Sequence, residues 1–228
     1  MLSAIAIVPA TPVLVPELVG AAAGEVADLR EAVVAAARSL PPRWLAVGVG
    51  PGDAVYGPDC AGTFAGYGAD VPVALGPGAM GDPVALPLCA LVAGWIRGQV
   101  APGADIEVHV CAASQQVGEA LARGRALRAR LDESADPVGV LVVADGLNTL
   151  TPAAPGGHDP DSAPVQQQVD DALATGDLSA LAELPGTVLG RVAYQVLAGL
   201  TEPEPGSARE RYRGAPYGVG YFVGEWLP

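Results

Sequence analysis

Few side chains in this sequence are equipped for chemistry. Histidine occurs only at His109 and His158, and the two are too far apart to form a local metal-binding spacing. His109 falls on an alternating apolar stretch, whereas His158 falls in a segment rich in glycine and proline after Asp145-Gly146. Asp53, Asp145, Asp159 and Asp161 lie in turn-rich segments, where carboxylates could supply oxygens to a hard cation or act as caps. Asp145, Asn148 and His158 together offer an acid–base set on one loop. Ser114 follows a candidate strand and could be a nucleophile, but Ala112–Gln116 lacks the GxSxG elbow, and helix capping is the simpler role. Gly48–Gly52 (GVGPG) is neither GxGxxG nor Walker A, and Pro51 removes an amide donor that a phosphate loop would use. The cysteines at 60, 89 and 111 form no disulfide framework or zinc spacing, and Cys111, at the end of a strand, reads as an inert core thiol.

The elements that would position these groups alternate. Leu2–Val8, Trp44–Val49, Ile106–Cys111 and Val138–Ala144 are apolar runs of strand length. Apolar residues at helical spacing predict helices over about Glu17–Ser39, from Asp82-Pro83 onward, and from a Ser114 cap to about Asp132. Further helices are predicted at Ala163–Thr175, Leu178–Leu184 and Val188–Leu200, with Asp177 and Thr187 as caps. A short strand at Val71–Leu75, a charged linker at Thr201–Arg213 and a last strand at Tyr217–Val223 complete the pattern. Strands alternating with helices define an α/β fold, here one layered domain with a central mostly parallel or mixed sheet flanked by helices. Sites in such sheets lie beyond the carboxyl ends of the strands. That selects four segments: Pro9–Pro16, Gly50–Tyr56, Ala112–Gln115 and Asp145–Asp159.

The chain has 228 residues, half of them hydrophobic and 16% charged, so it carries enough apolar material for a core. Its formal net charge of −13 weighs against nucleic acid and anionic membrane surfaces as partners. The densest basic stretch, Arg123, Arg125, Arg128 and Arg130, has the spacing of a solvated helix face. No basic leader and no long uncharged apolar run is evident, so a cytoplasmic location is the expectation.

Several stretches resemble the class III extradiol ring-cleaving dioxygenase superfamily, the LigB-like group that includes the Memo-type proteins. Ile5–Glu17 (IAIVPATPVLVPE) is similar to that family's first strand and histidine-proline loop, and Leu45–Asp53 (LAVGVGPGD) to its second strand and metal-bearing loop. Val140–Thr149 (VLVVADGLNT) resembles the strand and loop carrying a further histidine. Tyr194–Gly199 and Ala215–Phe222 resemble the closing pattern of small actinobacterial members. The resemblance spans nearly the whole chain. It implies an Fe(II) centre of two histidines and a glutamate beside a histidine base, with open positions for a catecholate and dioxygen. Here the first ligand position is Ala10, the second falls near Gly52 or Asp53, and the base position falls near Thr149.

Asp53 and Glu17, with Glu225, remain as cation ligands, and Thr11, Thr149 and Ser114 as pocket residues. No cofactor is expected from the residues themselves; Fe(II) or another divalent metal enters by resemblance alone. Three readings stay open. One is a metal-free binding module for a small molecule or a protein. Another is a dioxygenase-like or hydrolytic enzyme with a rearranged site at Asp53, Asp145, Asn148 and His158. The third is a non-catalytic partner subunit of a separate enzyme. Exposed apolar surface arising from the low-charge composition would suit homo-oligomerisation.

Overall fold

Four apolar strands run parallel through the centre of the molecule. A computed structural model describes residues 1–79 and 81–228. The strands are β1 (Leu2–Val8), β2 (Arg43–Gly50), β6 (Asp105–Ala112) and β7 (Val138–Val143), in the spatial order β6-β2-β7-β1. All six β7 residues are buried, as expected of a strand covered on both faces. Antiparallel strands extend both sides: β3 (Ala54–Tyr56) pairs with β6, and β9 (Tyr221–Leu227) joins β1 to β8 (Ser207–Gly214). The central sheet is therefore mixed, with seven strands. A separate two-stranded ribbon is formed by β4 (Ala61–Thr63) and β5 (Pro72–Ala74).

Strand alternation sorts the core into two layers. Ala4, Ala6 and Val8 of β1 face one side, where α2 (Ala27–Ala37) and α3 (Leu88–Val100) pack. Ile5 and Ile7 face the other, against α4 (Val117–Asp132), α5 (Ser162–Thr175), α6 (Leu178–Ala182) and α7 (Arg191–Thr201). A register irregularity between Leu2 and Ala4 turns Leu2 onto the same face as Ile5. Chain order and layering together make this one α/β domain, as its sequence pattern predicts.

Several local expectations differ from the structure. The helix predicted over Glu17–Ser39 is divided into α1 (Pro16–Val19), a 3-10 stretch at Gly20–Val26, and α2. Gly20 adopts φ +54°, which ends the first turn, and of the 3-10 stretch only Val26 is buried, so little packing straightens it. The helix predicted from Asp82-Pro83 begins only at Leu88, because Pro87, its N-cap, would clash with the preceding turn if placed inside a helix. Ser114 does not cap α4. Gln116 does, in a reciprocal box in which the Glu119 carboxylate accepts the Gln116 N–H at 3.2 Å. Gly190, rather than Thr187, precedes α7.

At the carboxyl terminus, the stretch predicted as a charged linker contains β8, and the last strand starts at Tyr221 after a turn in which Gly218 adopts φ +75°. The arginines and glutamates that made β8 look like a linker belong to an edge strand. Arg211 pairs with Glu225 at 2.8 Å and Arg213 with Asp171 at 2.7 Å. The basic face of α4 is likewise occupied: Arg123, Arg125, Arg128 and Arg130 pair with Asp53, Glu202, Asp132 and Glu107. No helix among the described residues is long and apolar enough to cross a membrane.

Candidate functional site

The carboxyl ends of β1, β2 and β7 converge on a cleft of about 360 Å³. Each of the four segments selected from the sequence contributes to its wall: Ala10, Gly50-Pro51, Ala113 and Asp145. Strand order explains the convergence. β7 is inserted between β1 and β2, so the chain leaves β1 and β2 on either side of it, and their following loops diverge around the end of β7. The rest of the lining is mainly apolar, with Val49, Leu88, Val143, Ala144 and Leu189 among it.

Asp145 supplies the only charged side chain in this lining. Its backbone is held firmly. Gly190 N–H donates to the Asp145 carbonyl at 2.8 Å, Gly146 N–H to Gly220 at 2.8 Å, and Leu147 N–H to the Gln166 side chain at 2.8 Å. Tyr194, fully buried on α7, donates its hydroxyl to the Ala144 carbonyl at 3.0 Å. The Asp145 carboxyl accepts one hydrogen bond among the described residues, from Ala10 N–H to Oδ1 at 2.8 Å. Protein surrounds the group while the cleft still gives water a path to it. Burial raises its pKa from 3.8 to about 7, and the Ala10 N–H opposes that rise only in part. A carboxyl so placed can accept or release a proton near neutrality.

Cys89, at the start of α3, also lines the cleft. Burial pushes its thiol up to about 12, which keeps it protonated and a poor nucleophile. Cys111 is pushed to about 11 for the same reason, in keeping with an inert core thiol. No signal in the sequence singled out Leu88, Cys89, Leu189 or Gly190. They reach the cleft because α3 and the turn before α7 pack over the strand ends.

The other predicted residues lie apart from this wall. Asp53 is a latch: its Oδ1 accepts Ala112 N–H at 2.9 Å and Arg123 Nη1 at 2.8 Å, and these bonds lower its pKa. Glu17 is exposed in the first turn of α1. Glu225 pairs with Arg211 across β9 and β8. Thr11 is buried and caps the 3-10 turn Pro12–Leu14, its hydroxyl 3.0 Å from that of Tyr221. Thr149 shares a 2.6 Å hydrogen bond with Ser162, which ties the loop after β7 to α5. Asn148 uses its carbonyl to accept Gly156 N–H within that loop. Ser114 and His158 are exposed. His109 is buried on β6, with Nε2 2.5 Å from Glu107, and burial is the main cause of its lowered pKa. Of the set Asp53, Asp145, Asn148 and His158, only Asp145 reaches the cleft.

The donors do not fit an iron centre of two histidines and a carboxylate. The cleft wall offers one carboxyl, one protonated thiol and no imidazole. Among the described residues, no group of three or more His, Cys, Asp or Glu is placed to hold a metal ion.

Comparison with known proteins adds the fold. No protein-family profile matches the chain, and no curated protein matches it. Among solved structures, the chain is similar to the uncharacterized protein JW3007 of Escherichia coli K12, with a TM-score of 0.58 and 10% identity. The match covers 98% of this chain and 99% of that one, so the α/β architecture is shared from end to end.

Proposed function

We propose that this chain is a LigB-like protein without the two-histidine iron site, acting as a binding module for a small, mostly apolar molecule. One observation carries the reading: the cleft at the strand ends is walled by apolar side chains around a single carboxyl, with Ala10 where the resembled family has a ligand histidine. Concave, mainly apolar sites with few polar groups are the usual form of small-molecule sites. Iron-dependent ring cleavage would need imidazoles that this wall lacks.

A second reading, an acid–base enzyme, draws on the same carboxyl, because a group that titrates near neutrality is suited to proton transfer. Asn148 and His158, the partners expected for it, lie outside the cleft wall.

The test is direct. Ligand-observed NMR should detect benzyl alcohol bound to the full chain, and Leu189→Trp, which fills the mouth of the cleft, should abolish the signal. Anaerobic titration with Fe(II) should give no stoichiometric uptake. Stoichiometric iron, or benzyl alcohol binding unchanged by Leu189→Trp, would overturn the proposal.

A further inference from the structure

Resting on the reading of the cleft as a ligand site, we propose that its ligand is an organic cation, an ammonium carried on a small apolar body, with the charge seated against Asp145 Oδ2. Three observations converge on this class. None of the 12 basic side chains of the chain lines the cleft. Arg123 is bound to Asp53, and Arg191 to the carbonyls of Ala113 and Gln115 and to the Gln195 side chain. A carboxylate or phosphate ligand would therefore meet a desolvated carboxyl with no countercharge.

The carboxyl itself is half-partnered. Oδ1 holds Ala10 N–H, and Oδ2 has no hydrogen-bond partner among the described residues. A charge-assisted N–H⁺···O⁻ bond offsets the desolvation of a carboxylate far better than a neutral donor does. The protein as a whole also favours a cation, since a net charge of −13 concentrates positive ligands around it. Room for the apolar body extends beyond the first chamber. A second cavity of about 390 Å³ shares Val49, Gly50, Pro51 and Leu88 with the cleft, and Tyr56 and Tyr67 contribute to its wall.

Among the titratable groups that line the cleft, Asp145 is the one that changes charge near neutral pH. Cys89 from α3 and Tyr221 from β9 are pushed to about 12, and Tyr194 from α7 is raised well above its ordinary value. Asp170 on α5, raised to about 6 by burial, is bound to Gln166 and does not line the cleft.

Isothermal titration of the full chain with benzylamine, benzyl alcohol and benzoate tests the proposal. At about pH 8.5 benzylamine should bind at least about ten-fold more tightly than benzyl alcohol, with the preference shrinking at about pH 5.5, and benzoate should not bind. Asp145→Asn should narrow the gap between amine and alcohol to about two-fold or less. Equal affinities of benzylamine and benzyl alcohol at about pH 8.5 in the wild-type chain, tighter binding of benzoate, or a preference that survives Asp145→Asn would overturn the cation assignment while leaving the cleft a ligand site. Binding of none of the three would remove the ligand-site reading, and this assignment with it.

Discussion

Asp145 is the residue at which folding and binding compete. Its folded pKa of about 7 lies above the ordinary value of 3.8, so the folded chain holds a proton that the unfolded chain releases. The stability this contributes is complete below the unfolded value and is lost as pH rises through the folded one. Asp145→Asn keeps an oxygen for Ala10 N–H and removes the buried charge. It should match the wild type near pH 3.8 and exceed it above about pH 7, by on the order of 2 kcal/mol once water in the cleft is allowed for. Urea unfolding at both pH values checks this, and a difference of the opposite sign above neutrality would contradict the burial of the carboxyl. A group that costs the fold stability in the wall of an apolar cleft is one whose cost a ligand can offset.

Among the elements, α4 and α7 pack in close contact. They meet through Gly124 and Gly199, where a Cβ on Gly199 would overlap the Leu121 carbonyl and one on Gly124 would overlap Val196. Both obstacles are backbone atoms, so neither helix can yield by turning a side chain. Gly199→Ala is expected to lower stability by about 2–3 kcal/mol. Gly98→Ala, on the open face of α3, should instead raise it by up to about 1 kcal/mol, because alanine is the better helix former and nothing lies near the added methyl. Thermal denaturation of the two variants separates close packing from helix propensity; equal effects would refute the contact. This contact matters for the site because α7 carries Tyr194 and follows Leu189-Gly190, which closes the cleft.

Across the whole molecule, the terminal β-hairpin seals the sheet. β9 covers the free side of β1 and buries Phe222 and Trp226, and the Trp226 indole donates to the Leu173 carbonyl at 2.8 Å. A chain ending at Thr201 would leave β1 as a bare apolar edge. It is expected to aggregate on expression, and a soluble monomer with intact near-ultraviolet circular dichroism would contradict the role assigned to the hairpin.

The apolar runs at Leu2–Val8 and Val138–Ala144 were legible as strands because burial on both faces leaves a continuous hydrophobic stretch. Asp177 was legible as a cap because an aspartate before a helical pattern binds the free amides, here those of Ser179 and Ala180. β8 was not, because an edge strand bearing Arg209, Arg211 and Arg213 has the composition of a linker until its partner is known. For the candidate site, local sequence pointed to the loops after the strands, which line the cleft, and showed that Ala10 cannot ligate a metal. Tertiary structure alone decided that Asp145 faces an apolar cleft while Asp53, equally well placed in sequence, is spent on Arg123. The physical reason is that a carboxyl's chemistry depends on which charges and how much water surround it, and those neighbours come from segments far away in the chain.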